Sequence, residues 1–582
     1  MPELDMLRYY TYDELTAYLE AVAEEYPQLA RLESIGKSFE GRDIWVMTLT
    51  NASTGPDLEK PAYWIDANIH AGEVTGGATA LFTLQHLTTR YGQDPQVTRL
   101  LDRSAFYICP RVSPDGVEQY LTTPYQARSS VRPYPFEDER EGLYLEDVDG
   151  DGRILQMRVK DPKGAWKVSD KDPRLMRPRE VGEEGGTYYH LYPEGLIRGW
   201  DGYTVKAAPP RHGLDLNRNF PADWGPESLQ RGAGPFPMSE PETYALAQFF
   251  ARHKNINGMQ AYHTYSGVIL RPYSGKPDDA FPTHDLTVYK RLGQKGTEIT
   301  GYPDASVFHG FRYDPKTTLR GGFFDWLYED LGIFGFSTEL WDVVSLAGIG
   351  EQPGGILKRD FIGWMKSHPE EDDLKLLKFN DEHALEGFKP WTPFVHSQLG
   401  PVEIGGWDYK RFWGNAPAKF LPEIAEKNTR FTLLCAEASP RLEVKLAEVQ
   451  PVSEGVYRLV VVLENTGFLP TYTSAKAQEK KAVEPIRVRL YLPEGAQLVS
   501  GEAVLEVGHL EGRSNKIEVF GALPFGDQEK KLEWVIAAPA GTVVRLEAVA
   551  QRAGTVRLST GASRGPGGPS LGNRSGLNFS PV

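Results

Sequence analysis

Apolar and polar positions follow two periods along the first 350 residues, and together they predict alternating strands and helices. The runs with strand character are 42–49, 62–69 and 105–109, and the run with helical period is 78–87. Thr11 and Glu14 have the spacing of a capping box and precede apolar residues at helical spacing. This alternation predicts an α/β domain, in which ligands gather at the carboxyl ends of strands.

The same pattern returns after a long interruption. Residues 124–211 are charged and rich in Gly and Pro without clear periodicity, which predicts an insertion into the domain. Apolar strands then follow at 256–262 and 333–338, and Ser239 with Glu242 predicts a second capped helix. The first domain is therefore expected to contain a long insertion between its third and fourth predicted strands.

The pattern changes again beyond the first domain, which is predicted to span 1–395. A linker with a helix is expected at 396–440. Short alternating runs separated by turn residues predict an all-β sandwich over 441–562. The last residues, 563–582, are rich in Gly, Pro, Ser and Asn and predict a mobile tail.

Composition and charge narrow the classes of partner. Of the 582 residues, 40% are hydrophobic and 25% are charged, which is typical of folded globular proteins. The net charge of −15 argues against nucleic acid or an anionic membrane as a partner. No apolar run approaches the ~18 residues of a membrane span, and the start, Met1–Asp5, lacks signal-peptide features, so a cytoplasmic location is predicted. The oligomeric state stays open.

Candidate chemistry begins directly after the strand at 62–69. His70 and Glu73 are three positions apart, so on a turn they project to one side and can bind one metal ion, although a surface ion pair has the same spacing. His263 and Glu339 also follow apolar strands. The two cysteines, Cys109 and Cys435, lie in apolar surroundings and predict buried thiols, so any metal would be bound by His and carboxylate groups.

Seven short motifs stand in one order along residues 9–393. They are Ile35–Arg42, His70 with Glu73, Pro114–Gly116, Asp215–Asn219, His263 with Tyr265 and Ser266, Gly321–Trp326, and Thr338–Leu340. Together they resemble a zinc metallocarboxypeptidase of the carboxypeptidase A-like family, of a bacterial type with a long insertion and a C-terminal β domain. The resemblance implies a mixed, mainly parallel sheet flanked by helices, and a zinc ion bound by His70, Glu73 and His263.

The catalytic roles can be stated in physical terms. Zinc bound by two imidazoles and one carboxylate keeps one open position and lowers the pKa of a bound water to about 7. Glu339 would act as the general base for that water, and its position on an apolar strand favours a partly neutral carboxyl. The alternative for Glu339 is a buried structural acid with a basic partner. Asp215 is expected to support His70 from behind, unless it only caps its own turn.

Substrate recognition is assigned to a second group of residues. Asn217 and Arg218 can bind a carboxylate, which in the family is the free C-terminus of the peptide. A further arginine should stabilise the oxyanion that forms at the scissile carbonyl. Arg128 has the family spacing, and Arg132 lies close by as the other candidate.

Two positions depart from the pancreatic-type enzymes of the family, and a third falls at the family's pocket floor. Gly72 replaces an arginine of the ligand motif, so part of the substrate grip is missing. Thr317 stands where those enzymes carry a mobile tyrosine, and Tyr313 could substitute only if its loop bends suitably. Phe324 falls at the pocket floor and offers no charge, which predicts an apolar or aromatic terminal residue in the substrate.

The insertion contains a separate candidate cation site. Asp147, Asp149 and Asp151 alternate as in the first half of a calcium-binding loop, but Arg158 stands where that loop has its bidentate glutamate. Structural calcium, with Asp161 or a backbone carbonyl completing the shell, and a solvated acidic turn are both open interpretations.

These observations predict a zinc-dependent carboxypeptidase that acts on peptides. A zinc amidase that hydrolyses peptidoglycan-type or side-chain-linked amide bonds is the main alternative, because the insertion could reshape the pocket. A non-catalytic peptide-binding module is a further alternative, which the presence of Glu339 argues against, because a binding module needs no base.

Overall fold

The structure is a computed structural model that describes residues 3–350, 361–515 and 527–561. The predicted mobile tail, 563–582, lies outside the described residues. Within the described ranges, no helix has both the length and the apolar character needed to cross a membrane.

An eight-stranded mixed sheet lies at the centre of the first 350 residues. Numbered in chain order, its strands are β1 (Ala30–Lys37), β2 (Asp43–Leu49), β3 (Ala62–Ala67), β4 (Ala105–Cys109), β11 (Ile256–Thr264), β12 (Val268–Arg271), β13 (Asp304–Ser306) and β14 (Phe334–Leu340). Their order across the sheet is β1-β2-β4-β3-β11-β14-β12-β13. The four middle strands, β4, β3, β11 and β14, are parallel, and β2 and β12 pair antiparallel with the outer two of these four. The predicted mixed sheet with a parallel centre is therefore confirmed.

Helices cover this sheet and continue beyond it along the chain. They are α1 (Tyr12–Glu25), α2 (Val74–Arg90), α3 (Pro95–Arg103), α4 (Pro114–Thr122), α5 (Pro241–Arg252), α6 (Thr283–Thr300), α7 (Val307–Gly310), α8 (Phe323–Leu331), α9 (Val343–Leu346), α10 (Phe361–Lys366), α11 (Glu370–Glu382), α12 (Leu421–Glu437) and α13 (Ala475–Glu479). Trp64 of β3 contacts Phe249 and Phe250 of α5, with ring centroids 5.2 and 5.1 Å apart. The preceding residue, Tyr63, contacts Cys435 of α12. Because successive strand residues face opposite sides, both faces of β3 are buried, which explains its continuous apolar run.

The second predicted capping box is wrong. Helix α5 begins at Pro241, and its N-cap residue is Glu240. Proline suits the first helical position because it has no N–H to satisfy there. The Ser239 hydroxyl instead donates to Glu240 Oε1 at 2.7 Å, and the Glu242 carboxylate accepts from Phe39 N at 3.1 Å.

The insertion has more regular structure than its sequence pattern predicts. Its strands are β5 (Gly142–Leu145), β6 (Gln156–Lys160), β7 (Trp166–Val168), β8 (Met176–Pro178), β9 (Tyr189–Pro193) and β10 (Gly195–Arg198). β5 pairs with β10, while β6 to β9 join two later strands, β15 (Phe388–His396) and β16 (Gly400–Trp407), in a sheet of order β15-β16-β6-β9-β7-β8. The helix predicted within 396–440 is present as α12, and it packs on α2, α6 and β11. The range is not a separate linker, however, because β16 belongs to this sheet.

The C-terminal part is the predicted all-β sandwich. Its strands are β17 (Leu442–Ser453), β18 (Val456–Asn465), β19 (Arg487–Tyr491), β20 (Gln497–Ser500), β21 (Val504–Glu506), β22 (Glu529–Ala537), β23 (Val543–Ala550) and β24 (Gly554–Gly561). They form two antiparallel sheets, β17-β18-β22-β20 and β21-β19-β23-β24. On β22, Leu532, Trp534 and Ile536 face the shared core while the residues between them face outward, as strand alternation requires.

Candidate metal centre and substrate site

Three parallel strands bring the predicted site residues to one edge of the central sheet. β3 ends at Ala67, and the chain then turns through Asn68 to His70 and Glu73, both of which are buried. His263 is the penultimate residue of the neighbouring strand β11. Glu339, on β14, is the register partner of His263. The sheet therefore assembles four side chains from three separate stretches of the sequence.

His70, Glu73 and His263 form a compact cluster, called the metal centre below. His70 Nδ1 lies 2.8 Å from Glu73 Oε1, His263 Nδ1 lies 2.9 Å from Glu73 Oε2, and the two Nδ1 atoms are 3.1 Å apart. Two imidazole nitrogens and a carboxylate are ligands that zinc prefers, and three of them leave a fourth position open. The residues therefore fit a catalytic zinc ion.

Asp215 lies behind His70, where the sequence places it. Its Oδ1 is 3.1 Å from His70 Nε2, so an Nε2–H donated to this carboxylate leaves the lone pair on Nδ1 for a metal. Burial acts to raise the pKa of Asp215, but Arg128, Arg218 and His70 outweigh it and hold the pKa well below its usual range. The carboxylate is therefore charged and orients the imidazole.

The structure separates the two candidate arginines. Arg128 Nε donates to Asp215 Oδ2 at 3.1 Å, and its Nη1 donates to Glu73 Oε1 at 3.2 Å. Arg132 instead donates through Nε and Nη2 to Glu240, at 2.9 and 2.7 Å. Arg128 therefore lies at the metal centre, whereas Arg132 pairs with Glu240, and the binding of substrate by Arg132 stays a prediction.

The two glutamates of the site differ in their electrostatics. For Glu73, burial acts to raise the pKa, but His70 and His263 outweigh it and lower the pKa below its usual range. For Glu339, burial raises the pKa to about 8, and the charge of Glu73 adds to the rise. The two imidazoles therefore favour the ionised form of Glu73, while burial favours the protonated form of Glu339.

Asn217 and Arg218 follow Asp215 in a short turn. Asn217 Oδ1 accepts from Phe323 N at 2.8 Å, which leaves the amide NH₂ as the end that can donate to a ligand. Arg218 Nη1 donates to the Asn217 carbonyl at 2.7 Å. Gly321 has a positive φ of 66°, and a Cβ there would lie 2.2 Å from the Arg218 carbonyl oxygen, so glycine is needed behind this pair.

Tyr313 and Phe324 differ in their access to the site. Tyr313 is half exposed, and partial burial raises the pKa of its phenol, with the Glu339 charge adding to the rise and Arg128 opposing it. Substrate binding by Tyr313 stays a prediction. Phe324, on α8, is only 7% exposed and lies mainly in the core.

The acidic loop of the insertion converges as predicted. Carboxylate oxygens of Asp147, Asp149 and Asp151 lie within 4.8 Å of one another. The same carboxylates also accept from amides of their own loop, including Gly152 N to Asp147 Oδ2 at 2.9 Å. Arg158 pairs with Glu403 on β16 and takes no part in the loop. Calcium binding here stays a prediction.

The sequence did not indicate one segment that lies beside the site. Residues 408–416, called the aromatic turn below, follow β16 and contain the half-exposed Tyr409. The ring of Tyr409 lies edge-on to Tyr265, with centroids 6.1 Å apart. The space expected beside Gly72 is filled by Tyr120, whose ring would lie 3.1 Å from a Cβ at that glycine. The only sequence signal was the cluster of aromatic residues after β16.

The fold and the metal centre define a three-ligand metal site at the carboxyl edge of a mixed sheet. The family described as zinc carboxypeptidase matches residues 15–347, more than half of the chain, so the chain belongs to the zinc carboxypeptidase family. This membership confirms the resemblance and implies Zn²⁺ as the cofactor. A domain of unknown function, DUF8731, matches residues 441–560.

Individual relatives share the first part of the chain. Mouse carboxypeptidase A2 is 27% identical over 347 residues, which are 57% of this chain and 63% of that protein. Rat carboxypeptidase A1 is 24% identical over 341 residues, covering 57% of this chain and 62% of that protein. The matched region therefore spans less than two thirds of these relatives. A crystal structure of thrombin-activatable fibrinolysis inhibitor covers 74% of each chain, at 20% identity and a TM-score of 0.41.

Proposed function

We propose that this protein is a zinc-dependent carboxypeptidase that removes the C-terminal residue of peptides. The observation that carries the proposal is the convergence of His70, Glu73 and His263 with Glu339 as the register partner of His263. A metal site without a neighbouring base would suit binding alone, whereas this arrangement supplies both ligands and a titratable acid.

Each side chain has a defined task in this proposal. Zinc, when bound by His70, Glu73 and His263, polarises water and supplies a nucleophile at neutral pH. Glu339 takes the proton of the attacking water and passes it to the leaving amine. Arg128, which carries a fixed positive charge at the centre, stabilises the oxyanion on the scissile carbonyl.

The choice of the peptide's end rests on Asn217 and Arg218. A guanidinium and an amide NH₂ side by side can bind a terminal carboxylate with several hydrogen bonds. Asp215 precedes them in the chain and also orients His70, so the carboxylate site and the metal centre share one rigid turn. The terminal residue preferred by the enzyme is proposed to be apolar or aromatic.

The proposal is tested with a mixed peptide library, incubated with zinc-loaded or chelated protein and analysed by mass. Zinc-dependent loss of single C-terminal residues is expected, with apolar and aromatic residues released fastest. Cleavage only of side-chain-linked or peptidoglycan-type amides would favour the amidase alternative. Absence of zinc-dependent cleavage would favour a peptide-binding module, and faster release of Lys or Arg would overturn the proposed terminal preference.

A further inference from the structure

The aromatic turn brings a tyrosine to the metal centre from a part of the chain beyond the family match, which ends at residue 347. Tyr409 is 48% exposed, and its ring lies edge-on to that of Tyr265, two residues after His263. Trp413 also contacts Tyr265, with ring centroids 6.4 Å apart. The turn thus adds an accessible aromatic surface beside the catalytic residues.

Hydrogen bonds fasten the aromatic turn to the segments that carry the metal ligands. Thr264, the residue after His263, donates through Oγ1 to the Gly414 carbonyl at 2.6 Å. Asn415 Nδ2 donates to the Gly72 carbonyl at 2.7 Å, and its Oδ1 accepts from Thr75 N at 3.0 Å. The position of Tyr409 is therefore tied to both ligand-bearing segments.

A second set of contacts fixes the residue next to Tyr409. Lys410 Nζ donates to the Thr123 carbonyl at 2.8 Å and lies 4.2 Å from the centre of the Tyr120 ring. Asn415 donates to the Tyr120 hydroxyl at 2.9 Å. Tyr120, which occupies the space beside Gly72, therefore links the metal-ligand loop to the aromatic turn.

The Tyr409 phenol also lies within the field of the metal centre. Partial burial raises its pKa to about 12, the Glu73 charge adds to the rise, Arg128 opposes it, and Glu339 adds further.

The path of a bound peptide is inferred from the positions of the Asn217–Arg218 pair and of the turn that carries Tyr409. The Asn217–Arg218 pair lies beside α8, because Asn217 Oδ1 accepts from Phe323 N. Tyr409 stands on a turn that is bonded to Thr264 and Gly72, beside the ends of β11 and β3 that carry the metal ligands. One residue spans at most about 3.3–3.6 Å. A peptide with its carboxylate at Asn217–Arg218 and its last peptide bond at the metal centre would carry its penultimate residue past the metal ligands, where the turn of Tyr409 is bonded.

We propose that Tyr409, packed against Tyr265, is a specificity-determining residue that contacts the penultimate side chain of the substrate and favours large apolar or aromatic groups there. This inference rests on the proposed carboxypeptidase function. The ring is half exposed in the free protein, so contact with a penultimate phenylalanine would remove apolar surface from water, whereas a penultimate glycine would gain nothing.

The test compares N-acylated dipeptides that end in Phe and carry Phe, Leu or Gly at the penultimate position. Tyr409→Ala is expected to lower kcat/KM about tenfold for penultimate Phe and less than about threefold for penultimate Gly. Tyr409→Phe should stay close to wild type, because the ring and not the hydroxyl makes the contact. Tyr203→Ala, at a 91% exposed tyrosine of the insertion, is the matched control and should change neither rate.

Calorimetric binding of the same dipeptides to zinc-loaded Glu339→Gln, with and without Tyr409→Ala, separates this inference from the proposed function. Selective loss of affinity for penultimate Phe supports the inference even if the wild type proves inactive. Turnover by the wild type with equal losses for Phe and Gly, or with no loss for either, overturns the inference alone. Neither binding nor turnover of any dipeptide overturns both.

Discussion

Left-handed backbone conformations follow each of the three strands that carry site residues. Asn68, after β3, has a φ of 57°, Ser266, after β11, has a φ of 133°, and Trp341, after β14, has a φ of 66°. Asparagine tolerates this region, but serine and tryptophan adopt it at a cost. Ser266 N donates to the Trp341 carbonyl at 3.1 Å, so a backbone hydrogen bond links the two strained residues. The strained backbone therefore lies at the carboxyl ends of the three strands that carry the site residues.

Glu339 provides the sharpest prediction at this scale. Glu339→Gln should lower kcat by about 10²–10⁴-fold, because a glutamine cannot transfer the proton. Zinc content should stay at the wild-type level, because Glu339 is not among the three predicted ligands. Peptide turnover followed by mass, alongside metal analysis, measures both effects, and Glu382→Gln, at an exposed residue, is the control. Retained turnover with zinc bound would show that another group is the base.

Residue-level prediction succeeded where a strand determined the position. His70, Glu73, His263 and Glu339 each follow an apolar run, and parallel strands align their ends, so their meeting could be expected. Arg128 and Arg132 could not be separated in this way, because both lie on irregular chain. The structure places Arg128 against Glu73 and Asp215, and Arg132 against Glu240.

At the scale of elements, local signals were reliable when they involved neighbouring residues alone. The Thr11–Glu14 capping box is present, with Thr11 N donating to Glu14 Oε2 at 2.8 Å at the start of α1. The Ser239–Glu242 pattern failed because its acid is bound by a distant amide, that of Phe39. The short strands of the insertion contain too few residues to show a period, and the strand β16 that pairs with β6 comes much later in the chain.

The capping box gives a prediction on pH. The backbone N–H of Thr11, with the side chain of Arg8, lowers the pKa of Glu14 to about 2. A lowered pKa stabilises the folded state above the unfolded value of about 4.3, and this stability is lost as pH falls toward about 2. Glu14→Gln should therefore weaken hydrogen-exchange protection at the start of α1 at pH 7, by about 1 kcal/mol or less.

The difference between wild type and Glu14→Gln should shrink as pH falls from about 5 to about 2. Glu20→Gln, at an exposed position of the same helix, is the control and should not show this dependence. A difference that stays constant over this whole range would mean that the charge of Glu14 contributes nothing to the cap.

At the scale of the whole molecule, the β-sandwich contacts the end of α8 around one glycine. Gly332 has a φ of 61°, and its carbonyl accepts from Ser474 Oγ at 2.7 Å and from Arg552 Nη1 at 3.3 Å. A Cβ on Gly332 would lie 2.3 Å from Ala477 N. This contact joins the part of the chain that belongs to the carboxypeptidase family to the part that follows it, and no sequence pattern indicated it.

Gly332→Ala should therefore destabilise the protein more than the matched variant Gly301→Ala. Gly301 ends α6 with a φ of 78°, and a Cβ added there would meet no atom within 4 Å. Both variants lose about 1–2 kcal/mol for the left-handed backbone, and Gly332→Ala loses about 1–3 kcal/mol more for the clash. Differential scanning calorimetry measures the difference in stability between the two variants. Equal losses of stability would show that the sandwich contact accommodates the added methyl group without an energetic penalty.

The central claim, that the metal centre and the Asn217–Arg218 pair together select and cleave a free C-terminus, has one direct test. Two synthetic peptides of identical sequence ending in Phe, one with a free carboxylate and one with a C-terminal amide, are incubated with the zinc-loaded protein and analysed by mass. The free-acid peptide should lose one residue while the amide stays intact, because only a carboxylate can bind the Arg218 guanidinium as an ion pair. Equal cleavage of both peptides, or of neither with zinc bound, would contradict the account.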